Sequence, residues 1–289
     1  CHFLTLYQYK HLLNVIFKLG CIMRFLFVIL CFVFVPTLVF SNTTGIFQSL
    51  EKDLDAVIIK DLSNKKLLFS KDEDQSLRPA SLTKIMTATL AIESGKMNSV
   101  VTITSEMKRV EPTIANFKVG EKFYLKDLVH AALIKSANDA ANAIAIYLGN
   151  GNKQLFVNMM NIKARKLGML HTNFTNPCGF DLGNHKSTAK DLLILTEYAI
   201  KNPTFNSIVK LDRYSFNAIN TNSRYIVSSS SKLLKLDPYV IGVKTGFTNK
   251  AGACLIAREK KGNQDVLMVM LNASNRWPNA KRVLDAVIN

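Results

Sequence analysis

At 289 residues the chain can bury a large core, and 37 Lys and Arg against 21 Asp and Glu give it a formal charge of +16. Such a charge suits a negatively charged membrane surface or wall polymer, yet lysine is scattered among Asn and Ser without a long basic block, which is equally the pattern of a composition bias. No C-x-x-C, H-E-x-x-H or clustered His and carboxylate pattern occurs, so neither a metal nor a cofactor is expected.

The first 41 residues hold no acidic side chain and include the run MRFLFVILCFVFVPTLVFSN. Its apolar part, Phe25 to Phe40, is shorter than the roughly 20 residues of a spanning helix. Val39 and Ser41 supply the small residues of a cleavage site, so residues 1–41 read as a leader with a secretory signal, translated from Met23 and cut after Ser41. The alternative is an uncleaved anchor. Losing Lys10, Lys18 and Arg24 takes the charge of the product, residues 42–289, from +16 to +13. Nucleic acid is not an expected partner behind such a signal. Of five cysteines only Cys178 and Cys254 remain in the product. They could pair in an oxidising compartment, but their apolar contexts favour two small buried hydrophobes.

After the leader, DAVIIKD and KKLLFSKD, separated by Leu62, Ser63 and Asn64, predict a hairpin. From Ser81 to Ile92 an apolar run without Gly or Pro predicts a helix that stops at Gly95. LKDLVHAALIK predicts a second helix, SAND a break and AANAIAIYLG a third, for which Ser136 or Asn138 could serve as an N-cap. Two further helices follow over NKQLFVNMMNIKARKLGM and TAKDLLILTEYAIKN, the latter capped by Ser187 or Thr188. The last third turns β-rich, with YVIGVKTGFT, GACLIAREKKG and DVLMVMLNA, and closes on the helix NAKRVLDAVIN. Strands at both ends with helices between imply one sheet assembled from the two termini, covered by helices and carrying a helical lobe.

Serine and lysine three apart occur seven times, starting at Ser49, Ser63, Ser81, Ser105, Ser187, Ser207 and Ser229, and only Ser81 heads a long apolar helix. On a helix Ser81 and Lys84 would be neighbours, with Cβ atoms about 5 to 6 Å apart. Such a lysine can accept the serine proton only when burial or a nearby cation, for which Lys244 is the candidate, lowers its pKa. Ser136 and Asn138, in the break between helices, could relay a proton and grip a peptide bond. S-x-N recurs at Ser215-Phe216-Asn217, whereas Lys244-Thr245-Gly246 is a single occurrence on a predicted strand. There Lys and Thr can hold a carboxylate, and Gly246 lets a substrate backbone approach. Together these groups meet the needs of serine-mediated amide cleavage: an activated alcohol, a proton relay and donors for the oxyanion.

S-x-x-K, S-x-N and K-T-G in this order resemble the signature of penicillin-binding proteins and class A β-lactamases. The blocks RPASLTKIMTA, SANDAA, NPCGFDLGNHKSTAKDL and GVKTGFTNKAGACLIA resemble most closely the low-molecular-mass D-alanyl-D-alanine carboxypeptidases of the penicillin-binding protein 5 group, over residues 52 to 289. The resemblance implies an α/β fold of α+β type, an antiparallel sheet flanked by helices with an all-helical lobe. It implies Ser81 as the acylated nucleophile, Lys84 as its base, Ser136 as proton relay and Asn138 as substrate contact. Lys244 and Thr245 would hold the substrate's terminal carboxylate, helped by Arg276, while the N–H groups of Ser81 and Phe247 would form the oxyanion hole. His185 is expected to be structural. The implied substrate is a peptidoglycan stem peptide ending in D-Ala-D-Ala, with β-lactams as covalent inhibitors and a periplasmic or envelope location. Unlike members with a β-rich second domain and an amphipathic anchor, the sequence presents one catalytic domain and neither addition. Rival readings are a D,D-endopeptidase on cross-links, a β-lactamase and a non-catalytic wall-binding protein. Against the β-lactamase, only Glu197 falls between the second and third motifs, with Lys rather than Asn at position 201.

Overall fold

The computed structural model describes residues 45–288. The expected leader, its start at Met23 and its cleavage after Ser41 lie outside the described residues. The chain divides into two units, Cys1–Gln48 and Ser49–Asn289, and apart from the first helix, which begins before that boundary, all that follows concerns the second. A first helix, α1, covers residues 45–51.

Five antiparallel strands make the main sheet, in the order β2-β1-β9-β8-β7. The hairpin β1 (Ala56–Asp61) and β2 (Lys66–Lys71) comes from the start of the unit, and β7 (Val240–Thr248), β8 (Gly252–Lys261) and β9 (Gln264–Leu271) come from its end. β1 and β9 pair from Ala56 opposite Leu271 to Asp61 opposite Val266, which joins the two termini as expected. Both faces of the sheet are covered. Leu267, Val269 and Leu271 of β9 belong to the large core beneath the helices, and the alternate residues Val266, Met268 and Met270 are equally buried on the other side. Helix α9 (Arg276–Val287) packs against β8 and β9, whereas α6 (Ala189–Ala199) packs against β1 and β9.

The helical lobe is built around α2 (Lys84–Glu93), in which Lys84 to Ala91 are all buried. A helix that is apolar on every side belongs inside. It contacts α3 (Leu125–Ile134), α4 (Asn138–Leu148), α5 (Lys153–Lys166), α6 and α7 (Pro203–Val209). Caps follow local chemistry: Asn152 accepts from the Gln154 N–H, Thr188 rather than Ser187 from that of Asp191, and Asn202 from those of Thr204 and Phe205 ahead of Pro203. The lobe also carries two antiparallel ribbons, β3 (Val100–Thr102) with β4 (Lys122–Tyr124) and β5 (Arg213–Asn217) with β6 (Arg224–Ser228). The aromatic rings of Phe117, Phe123, Phe216 and Tyr225 bind these ribbons into one cluster. The second S-x-N match, Ser215 to Asn217, therefore lies within a strand. A four-residue helix, α8 (Leu233–Leu236), precedes β7.

Candidate active site

Ser81 does not cap an α-helix. It sits in a 3-10 turn, Ala80–Thr83, that feeds into α2, and neither the turn nor α2 has a side-chain cap bond at its start. Because Lys84 begins α2 at the centre of the lobe, its side chain is 0% exposed. Its Nζ donates to Ser81 Oγ at 2.7 Å and to the Cys178 carbonyl at 2.7 Å. Burial lowers the Lys84 pKa to about 8, against upward contributions from Cys178 and Asp139. Burial, rather than the candidate cation Lys244, leads this lowering, and the repulsion between the two amines acts on both. Lys244 is itself held well below the usual lysine value, first by burial and then by Lys84 and Arg276.

Two glycines permit this arrangement. A Cβ on Gly179, at φ +95°, would lie 1.8 Å from the Ala80 carbonyl oxygen, and one on Gly246 would lie 3.0 Å from Ala80 Cβ and 3.1 Å from the Ser81 nitrogen. The 3-10 turn is thus clasped between the 176–182 loop and strand β7. That loop is wound about Asn176, whose Oδ1 accepts from the N–H groups of Cys178, Gly179 and Phe180.

Ser136 and Asn138 stand between α3 and α4. Ser136 adopts φ +66°, a left-handed conformation that ends α3. Ala137 is the N-cap of α4, without a side-chain bond, so Ser136 and Asn138 are not caps. Asn138 is buried and fastens the 109–113 segment: its N–H donates to the Thr113 carbonyl at 2.8 Å and its Nδ2 to that of Glu111 at 2.9 Å. Ser81, Ser136, Asn138 and Phe247 all line one cleft of about 770 Å³.

Strand β7 forms one edge of the main sheet, so its outer side can receive an extended peptide. Lys244 and Thr245 are buried next to the cleft, with Lys244 Nζ donating to the Thr245 carbonyl at 2.9 Å and Thr245 Oγ1 2.6 Å from Ser230 Oγ. Arg276 is not a freely solvated charge. Its Nη1 donates to the carbonyls of Gly246 and Cys254 at 2.6 and 3.1 Å, and its guanidinium stacks 4.6 Å from the Trp277 ring. Glu197 is paired with Lys60 at 2.6 Å and is not among the residues lining the cleft.

The family model described as D-alanyl-D-alanine carboxypeptidase (peptidase S11) matches residues 45–275. The chain belongs to this family. It is 32% identical over 234 residues to D-alanyl-D-alanine carboxypeptidase DacF of Bacillus subtilis, covering 78% of this chain and 59% of that protein. It therefore spans less than two thirds of that relative's length. It is 30% identical over 233 residues to a D-alanyl-D-alanine endopeptidase of Pseudomonas aeruginosa, covering 77% of this chain and 72% of that one. Among solved structures, the Streptomyces K15 DD-transpeptidase superposes with a TM-score of 0.77 at 26% identity, covering 81% of this chain and 96% of the other.

Within this family member, His185 bears out its structural reading. It is buried, its Nδ1 accepts from the Thr175 N–H at 3.0 Å, and its Nε2 lies 2.8 Å from Thr83 Oγ1, which donates to the Ala80 carbonyl. The ring thereby ties Thr175, at the entry to the loop, to the turn that carries Ser81. Burial pushes its pKa down to about 4, with Arg78 and Lys84 lowering it further and Asp181 opposing. Above about pH 6.5 the ring is neutral whether the chain is folded or not. Between 6.5 and 4 the unfolded chain takes up a proton that the folded chain refuses, so stability falls as pH falls, by on the order of 3 kcal/mol in all. Urea unfolding at pH 7 and pH 4.5 should show the gap between wild type and His185→Gln narrowing at the lower pH. A gap that stays constant would refute this assignment.

Cys178 and Cys254 are free and buried, and burial pushes both thiols up to about 11, so both act as apolar filler as expected. What sequence reasoning missed is mostly backbone. The Cys178 carbonyl, which receives Lys84, has no side-chain signature, and Ser230 gives no signal within its serine run.

Proposed function

We propose that the chain is a serine-type D-alanyl-D-alanine carboxypeptidase that removes the terminal D-Ala from peptidoglycan stem peptides. The observation that carries this reading is the 2.7 Å contact between Ser81 Oγ and a wholly buried Lys84 whose pKa is about 8. Neutral Lys84 takes the Ser81 proton as Oγ attacks the penultimate D-Ala carbonyl. The N–H groups of Ser81 and Phe247, brought together by the close approach of Gly246, stabilise the oxyanion. Ser136 passes a proton to the departing D-Ala amine, and water then hydrolyses the ester. Asn138 aligns the scissile peptide along β7. Lys244 and Thr245 meet the terminal carboxylate, and Arg276, by gripping the Gly246 and Cys254 carbonyls, holds the strand that presents them.

β-Lactams would acylate Ser81 in the same way and leave slowly, because Glu197, the one glutamate between the second and third motifs, is engaged with Lys60 and does not line the cleft. A wall-binding protein without catalysis would have no need of the Ser81–Lys84 contact. The substrate places the protein outside the cytoplasmic membrane, in keeping with an exported chain of basic charge. Among the described residues no helix is long and apolar enough to cross a membrane.

Purified protein should release D-alanine from an N-acylated Lys-D-Ala-D-Ala tripeptide, and penicillin should block the release. Since the active form of Lys84 is the neutral one, kcat/KM should rise with pH through an apparent pKa near 8. Cleavage of cross-linked dimers without tripeptide turnover would instead support the endopeptidase reading, the activity named for the Pseudomonas relative. No turnover of either by folded protein would sink the proposal.

A further inference from the structure

Helix α5 is apolar on two opposite sides. Phe156, Val157, Met160 and Ala164 face inward and are buried, whereas Leu155, Met159 and Ile162, spaced i, i+4 and i+7, are exposed at 49%, 38% and 45%. Leu170, just beyond the helix, is 77% exposed. An apolar stripe of this kind is ordinarily covered. Around it Arg165 and Lys166 are exposed, while Lys163 is paired with Glu93 at 2.8 Å. From Ala140 to Phe180 the sequence contains no Asp or Glu, so no acidic residue of this stretch offsets those cations.

We propose that the outer face of α5, with Leu170, docks on a membrane surface containing anionic lipid. An exposed apolar stripe bordered by Lys and Arg matches the boundary between phosphate headgroups and acyl chains, where the apolar side chains leave water and the cations stay beside phosphate. A second copy of the chain fits poorly, because a face-to-face pair would set the same cations against each other. A purely anionic polymer would leave Leu155, Met159 and Ile162 in water.

The test has to be local to α5, because the apolar Phe25–Phe40 stretch of the full chain can bind lipid by itself. Full-length Met159→Trp protein is mixed with phosphatidylcholine vesicles with and without about one third phosphatidylglycerol, and the emission of the parent, from Trp277, is subtracted. With phosphatidylglycerol, the residue at 159 should emit to the blue and be quenched by lipids brominated near the headgroup. Adding Arg165→Gln and Lys166→Gln should raise the lipid concentration needed by tenfold or more, about fivefold being the share of each cation near an anionic surface. Near-UV circular dichroism matching the parent would establish that the variants are folded. Emission at 159 that stays water-exposed while the chain sediments with vesicles would overturn the proposal, as would failure to bind or equal insertion into neutral vesicles. A blue shift without lipid that grows with protein concentration would overturn it in favour of a second copy.

Discussion

Replacing Ser81 by alanine should cut D-alanine release at least about a thousandfold, equivalent to roughly 4 kcal/mol on the barrier, while leaving the fold intact. The two halves of this expectation have separate causes. In the proposed reaction catalysis collapses because Oγ is the atom that becomes acylated, and among the described residues Ser81 supplies the hydroxyl bonded to the buried Lys84 amine, whose other 2.7 Å partner is the Cys178 carbonyl. Stability is spared because Ser81 caps no helix and its own bond to the Cys178 carbonyl is long, at 3.5 Å. Lys84 keeps its 2.7 Å bond to that carbonyl in the variant, so the buried amine is not orphaned and the cost should stay near 1 kcal/mol. Tripeptide turnover, labelling by a fluorescent penicillin and a thermal melt read the three consequences. Turnover within tenfold of wild type would show that Ser81 is not the nucleophile.

Gly179→Ala should be far more damaging to the fold than its single methyl suggests. The added Cβ would sit 1.8 Å from the Ala80 carbonyl oxygen and 2.3 Å from its carbon, both backbone atoms of the turn that carries Ser81. The φ of +95° is also one that alanine rarely adopts. Either the 3-10 turn or the 176–182 loop must move, and both bear on the site because Cys178, next in the chain, holds Lys84. A loss of about 3 to 5 kcal/mol is expected, lowering the melting temperature by on the order of 10 °C, together with slow penicillin acylation of whatever protein remains folded. An unchanged melt with wild-type acylation would mean that the loop is not clasped against the turn as described.

The contrast between these two positions marks how far the sequence could be read. Ser81, Lys84 and the Lys244-Thr245-Gly246 triplet stood out because periodicity placed each on an element: an apolar run with no breaker for α2, and a glycine-punctuated β run for β7. The hairpin β1–β2, the three closing strands and the break between α3 and α4 were legible for the same reason, since spacing at periods of two and 3.6 is a local property. Ribbons β3–β4 and β5–β6 were not, because strands of three and five residues in polar surroundings have too few positions to show alternation. Their stability comes from the Phe117, Phe123, Phe216 and Tyr225 cluster, drawn from segments far apart in the chain.

The sequence by itself determined which residue types are available for acyl transfer, their order, and the sheet that closes from both ends. Only the tertiary structure decided what makes Lys84 a base. Composition and spacing left burial and the cation Lys244 both open, whereas the fold makes removal of Lys84 from water at the centre of the helical lobe the leading cause. Burial is the sum of contacts from α3, α4, α5 and the 176–182 loop, and no local pattern encodes it. The same holds for the Cys178 carbonyl and for the clasp at Gly179 and Gly246: they are backbone groups, identical in every residue, and acquire a role only from what the fold sets against them.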